Sequence, residues 1–106
     1  MSDILKQIDS DIKSNKVVIF MKGTKDAPQC GFSAAVVDVF KMLGVNFVTR
    51  DVLSDNELRE GVKKYTNWPT IPQVFVDGKF IGGCDVTREM FQSGELQALI
   101  KSQTNT

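Results

Sequence analysis

Apolar residues recur along this chain in a few distinct rhythms, and the rhythms predict its elements. Ile4, Ile8 and Ile12 return every fourth residue with Leu5 beside them, which marks an amphipathic first helix. Val17-Val18-Ile19-Phe20-Met21 is β-branched and apolar without a break, the mark of a central strand covered by helices on both faces. A polar stretch with glycine and proline, Lys22 to Gln29, reads as a loop. Cys30 to Leu43 carries helix-compatible apolar positions and ends at Gly44, which suits a left-handed cap. Val45 to Val52 fits a second strand. Ser54 and Glu57 stand at capping-box spacing, ahead of a helical face of Leu58, Val62 and Tyr65. Trp68-Pro69-Thr70-Ile71-Pro72 is a rigid connection. Gln73 to Val76, then Asp77-Gly78, then Lys79 to Ile81 spell strand, two-residue turn and strand. Gly82-Gly83 interrupts that pattern. Asp85 is placed to cap a helix through about Gln92, and Leu96, Leu99 and Ile100 fit a final one.

The predicted order is αβαβαββα(α), without repeat, linker or low-complexity segment. A βαβ half followed by a ββα half resembles the thioredoxin fold: an α/β, thioredoxin-like architecture with a four-stranded mixed sheet flanked by helices on both faces. The first two strands should pair in parallel through a right-handed crossover. The 106 residues fit one domain, taken as 1–106. A chain of that size buries about two-thirds of its unfolded surface, enough for a core without staples.

Charge narrows the range of partners. Thirteen lysines and arginines balance thirteen aspartates and glutamates, so strong non-specific attraction to nucleic acid or an anionic membrane is not expected. The N-terminal MSDILKQIDSDIK mixes acids with apolar residues and does not read as a secretory signal. Val17 to Met21, the longest apolar stretch, is too short to span a bilayer. The expected setting is a reducing one, the cytoplasm, or an organelle matrix if a targeting segment has been removed. There is no histidine, which excludes Ser-His-Asp triads, Cys-His pairs and histidine-ligated zinc. Two cysteines, Cys30 and Cys84, cannot make a four-thiolate metal site within one chain.

Cys30 stands where a loop turns into a helix, in Pro28-Gln29-Cys30-Gly31-Phe32-Ser33. Free amides at a helix N-terminus favour a thiolate, and Lys22 at the end of the preceding strand can add positive charge across the loop. The thiolate is the form that attacks disulfides and ligates iron. The plainer alternative is a buried, inert cysteine.

Four blocks in order, Lys22-Gly23-Thr24, Pro28 to Ser33, Trp68 to Phe75 and Gly82-Gly83-Cys84-Asp85, resemble the monothiol glutaredoxins of the C-G-F-S type, in their short single-domain class. The resemblance implies glutathione as ligand. Lys22 and Arg59 would pair with its glycine carboxylate; alone, Arg59 reads as a solvated surface charge. Ile71-Pro72 resembles the family's cis-proline junction, aiming the Ile71 backbone at the cysteinyl unit; otherwise Pro69 and Pro72 simply stiffen a loop. The Cys84 and Asp85 amides would receive the γ-glutamyl carboxylate, and the Asp85 side chain would face the ammonium; without the resemblance Asp85 is an N-cap. Phe32 and Trp68 fit core or rim, and Trp68 is taken as packing.

Ser33 separates mechanisms, because a hydroxyl cannot resolve a mixed disulfide as a second thiol does. Release from Cys30 then needs another glutathione or Cys84, which reads either as a packed structural thiol or as a resolving one. The resemblance further implies a [2Fe-2S] cluster held by Cys30 as metal ligand. Two chains and two glutathiones supply four thiolates, so the holder would be a homodimer. Transfer to apo iron–sulfur proteins and pairing with BolA-like proteins are implied as well. Three functions follow: an iron–sulfur carrier, a glutathione-dependent thiol–disulfide oxidoreductase acting weakly through Cys30, or a redox-silent interaction module.

Overall fold

The computed structural model describes residues 2–104. Ser2 caps α1 (Asp3–Ser14), with its hydroxyl accepting the Leu5 N–H, and Ile8 and Ile12 are buried on one face of the helix. β1 (Val17–Met21) is buried at every position. α2 (Gly31–Leu43) ends at Gly44 in the left-handed conformation, with φ 69°. β2 (Val48–Asp51) leads to α3 (Asn56–Thr66); β3 (Gln73–Val76) and β4 (Lys79–Gly82) form the hairpin; α4 (Cys84–Ser93) and α5 (Glu95–Thr104) complete the chain. Asp77 and Gly78 both take positive φ, 52° and 79°, as a twist-matched two-residue turn requires.

The sheet order is β2-β1-β3-β4. β1 runs parallel to β2, with Val18 opposite Val48 and Met21 opposite Asp51, and antiparallel to β3; β3 and β4 are antiparallel. Alternation along β1 feeds two cores. Val17, Ile19 and Met21 pack with Val36, Phe40, Leu96 and Ile100 from α2 and α5. Val18 and Phe20 face the other way, toward Ile8, Ile12 and Val62 from α1 and α3. Each fully buried side chain of this kind contributes about 1.5–3 kcal/mol, so both faces stabilise the central strand. No helix among the described residues is long and apolar enough to cross a membrane.

Three boundaries differ from expectation. β2 begins at Val48, not Val45, because β1 offers its first parallel partner at Val18; Phe47 is buried instead against Phe40, ring centroids 5.8 Å apart. The cap of α3 is Asp55, whose carboxylate accepts the Leu58 N–H at 3.0 Å, while the Ser54 hydroxyl is turned to Asp51. α4 starts two residues early: Gly83 is its N-cap, and Asp85 lies within the first turn rather than at the cap.

This arrangement gathers three loop-to-element junctions. The C-terminal end of β1 delivers Lys22, the connection into β3 delivers residues 67–72, and the end of β4 delivers Gly83 and the start of α4.

Candidate functional site

Cys30 is presented by a small, tied-down loop. After Lys22 the chain makes a tight turn in which Thr24 and Ala27 exchange backbone hydrogen bonds at 3.1 and 3.2 Å, and Gln29 N–H returns to the Lys22 carbonyl at 2.9 Å. Gly23 makes this possible, since at φ 90° a Cβ would lie 2.6 Å from backbone atoms of Ala27 and Gln29. Asp51, at the end of β2, accepts the Gly23 N–H at 3.0 Å and the Leu53 N–H at 2.8 Å. Lys25 donates to the Phe47 carbonyl at 2.7 Å and lies over the Phe47 ring.

Cys30 is the N-cap of α2, half-buried and with no disulfide partner. Its thiol is shifted below the ordinary value of 9.0, foremost by the backbone N–H of Ser33. Partial burial opposes the shift; the Phe32 N–H, the Lys22 charge and the Ser33 hydroxyl support it. Ser33 is fully buried, and its hydroxyl accepts the Lys22 N–H at 3.2 Å. The serine at this position therefore does more than withhold a thiol: it ties the end of β1 to the helix that carries Cys30.

A groove of about 540 Å³ opens beside Cys30, and every site residue expected from the sequence lines it: Lys22, Cys30, Arg59, Ile71, Cys84 and Asp85. Arg59, on α3, has its Nε buried without a hydrogen-bond partner among the described residues, so it is aimed at the groove rather than solvated as a surface charge. The Ile71–Pro72 bond is cis. No backbone hydrogen bond from Ile71 to the described residues exists, which leaves its amide and carbonyl for a ligand. Gly83 keeps the opposite wall close, since a Cβ there would stand 3.1 Å from the Pro72 carbonyl. Cys84 reaches the groove but is only 7% exposed, and burial pushes its thiol up from the ordinary value.

Trp68 is not simple packing. It is 44% exposed, lies 6.1 Å from the Phe80 ring between centroids, and forms the rim with Phe32, itself 62% exposed. Lys63 and Thr70 line the groove too and were not singled out from the sequence. Lys63 stands four residues after Arg59, so helical spacing from one expected cation was the signal that could have found it.

A cationic end, a free backbone edge, a helix start and an activated thiol thus share one groove. The glutaredoxin family profile matches residues 17–81, more than half of the chain. A Synechocystis protein named as a ycf64-like monothiol glutaredoxin is 56% identical over 95 residues, covering 90% of this chain and 89% of its own. This chain is a monothiol glutaredoxin. Among solved structures, reduced poplar apo GrxS14 superposes with a TM-score of 0.83 at 48% identity, over 95% of this chain and 93% of that one. A buckwheat glutaredoxin in complex with glutathione gives 0.83 at 27% identity, over 93% and 88%. The thioredoxin-like fold of this glutaredoxin is therefore that of the family, and its chemistry is glutathione-related redox chemistry.

Proposed function

We propose that this glutaredoxin binds glutathione in the groove and carries a [2Fe-2S] cluster, as cargo, between two copies of the chain. The observation that carries the reading is the activated Cys30 sulfur opening onto the same groove as Lys22, Arg59, the Ile71 backbone and the start of α4. Glutathione has two carboxylates, one ammonium, an extended backbone and a thiol. Lys22 and Arg59 receive its glycine carboxylate. Ile71 pairs with its cysteinyl backbone in strand fashion. The Cys84 and Asp85 amides receive the γ-glutamyl carboxylate, and the Asp85 side chain meets the ammonium.

Docked this way, the ligand's sulfur lies beside Cys30. Among the described residues no cluster of three or more cysteine, aspartate or glutamate side chains is placed to hold a metal, so one chain furnishes only part of a ligand set. Cys30 and one glutathione from each of two protomers complete four thiolates. The apolar rim of Phe32 and Trp68 suits the approach of a second protein surface. A cluster held half by exchangeable ligands is suited to delivery, to apo iron–sulfur proteins and in company with BolA-like partners. The test is anaerobic reconstitution with iron, sulfide and glutathione: a coloured dimer is expected, and a colourless monomer without iron overturns the reading.

The lowered Cys30 thiol also favours a second reading, weak deglutathionylation. The Cys30 thiolate attacks the glutathione sulfur of a mixed disulfide, the substrate thiolate leaves, and a second glutathione thiolate releases Cys30 as it forms glutathione disulfide. Turnover of a glutathionylated peptide that vanishes in Cys30→Ser supports this; no turnover in the parent protein opposes it.

A further inference from the structure

One buried polar side chain next to the groove serves no part of the chemistry above. Gln73, the first residue of β3, is fully buried and lies opposite Phe20 in the sheet. Its Nε2 donates to two carbonyls of the preceding loop, Trp68 at 2.9 Å and Thr70 at 3.1 Å. Its Oε1 accepts from the Thr66 hydroxyl at 2.9 Å. That hydroxyl has one proton and three oxygens within reach, but two of these are carbonyls of its own helix, Val62 and Lys63. Among the described residues Gln73 Oε1 has no other donor, so the proton belongs there. The Thr66 oxygen in turn accepts the Trp68 N–H at 3.2 Å. Every polar atom is matched, and a flipped amide would set Oε1 against two carbonyls.

We infer that Gln73, oriented by Thr66, is a positioning residue: it draws the Trp68 and Thr70 carbonyls inward and so fixes the 67–72 loop as the groove wall that binds glutathione. The inference rests on the glutathione reading of the groove. Its geometry is specific, because the same two carbonyls flank the segment that presents Pro69 and leads to Ile71. An amide that holds them turns the remaining backbone of the loop toward the ligand.

Trp68 is the chain's one tryptophan, so its emission reports this loop independently of any ligand. Gln73→Met keeps the volume and removes all three hydrogen bonds. It should weaken glutathione binding, read by titration calorimetry, about ten-fold and shift Trp68 emission, while the pH midpoint of Cys30 alkylation stays in place. Thr66→Val should weaken binding about three-fold, and Thr66→Ser, which keeps the hydroxyl, should restore it. This pair serves if Gln73→Met does not fold. Gln73→Glu adds a pH signature: its carboxylate repels both carbonyls at about pH 8, and protonation toward about pH 5 returns a donor, so its affinity deficit against the parent should shrink on acidification.

Parent-like affinity and Trp68 emission in folded Gln73→Met, or equal affinities for Thr66→Val and Thr66→Ser, overturn the inference. If the parent chain binds no glutathione, the ligand reading fails and takes the affinity claim with it. A shifted Trp68 emission in Gln73→Met then still supports the loop-setting role.

Discussion

Two helices of this glutaredoxin start at a cysteine, and their thiols are pushed in opposite directions. Cys30 is the N-cap of α2 and is held below the ordinary thiol value; Cys84 is the first residue of α4 and is held above it. An N-cap side chain stands in front of the free amides of the first turn, which is why the Ser33 and Phe32 N–H groups stabilise the Cys30 thiolate. One residue later that advantage is gone. Burial dominates at Cys84, the Arg88 cation only partly offsets it, and the negative charges of Asp85 and Cys30 add to the upward push. A helix start activates a thiol, then, only when the sulfur faces the amides and keeps contact with water.

The most direct way to break that contrast is to leave one thiol at a time. With Cys30→Ser, the remaining Cys84 should react with iodoacetamide about 100-fold more slowly at neutral pH than Cys30 does in Cys84→Ser. The alkylation midpoints, followed by mass spectrometry against pH, should fall below 9.0 for Cys30 and above 9.0 for Cys84. Coincident midpoints would end the comparison. Stability carries the same signs. The lowered Cys30 value adds stability that is fully present above 9.0 and is lost as pH falls through the folded-state value. The raised Cys84 value favours the folded state below 9.0 and ceases to do so as pH rises through its own folded value. Urea midpoints of Cys84→Ser should therefore gain on those of Cys30→Ser as the solution is made alkaline.

The approaches to the two helices come next in size. Gly23, before α2, and Gly82, before α4, take φ of 90° and 138°. Gly23→Ala sets a methyl against backbone on both sides of a hydrogen-bonded turn and should cost about 3 kcal/mol. Gly82→Ala meets the Val86 side chain, with a Cβ–Cβ approach of 2.7 Å. It should cost less, about 2 kcal/mol, because only the first turn of α4, which carries the Val86 β-carbon, has to shift, not backbone on both sides of a turn. Denaturant titration ranks the pair, and only Gly23→Ala should move the Cys30 midpoint.

What the sequence discloses about these two helix starts is uneven, for physical reasons. An unbroken run such as Val17 to Met21, or Asp77-Gly78 between two strands, encodes its structure locally, so β1 and the hairpin were legible. Cys30 at a loop-to-helix boundary was legible for the same reason. The beginnings of β2 and α3 were not, since each depends on a partner distant in sequence or on a competing bond: Val48 waits for Val18, and Ser54 is claimed by Asp51. Asp85 looked like a cap because capping residues look alike in one dimension; Gly83 takes the cap instead. Gln73 reads as a strand residue in any window, and only the fold shows its amide filled by the loop behind it. The resemblance supplied the site's members; their hydrogen bonds came from the structure.

Ser33→Ala probes the contacts that make the first helix start different from the second. It removes the acceptor of the Lys22 N–H and the hydroxyl that faces Cys30, and should cost about 1 kcal/mol of stability. The Cys30 midpoint should rise yet stay below 9.0, because the backbone N–H of residue 33, the largest cause of the shift, survives the substitution. A midpoint above 9.0 would mean that the hydroxyl, not the amide, controls the thiol.

Lys22→Gln should give the smallest effect on stability and the sharpest separation of causes. Lys22 acts on Cys30 through charge alone, ranks below both helix amides but above the Ser33 hydroxyl, and is itself partly exposed to solvent. Removing the charge should raise the Cys30 midpoint only slightly. Salt then distinguishes charge from hydrogen bond: at about 1 M the screening length falls to about 3 Å, so the parent and Lys22→Gln midpoints should converge. The Ser33→Ala difference should persist under the same conditions, because a short-range, part-buried contact is screened much less than an exposed charge. If salt erased both differences alike, the thiolate would be held mainly by long-range charge. Cys84, with Arg88 beside it, would then share the mechanism, and its opposite shift would be left to burial and to the charges of Asp85 and Cys30.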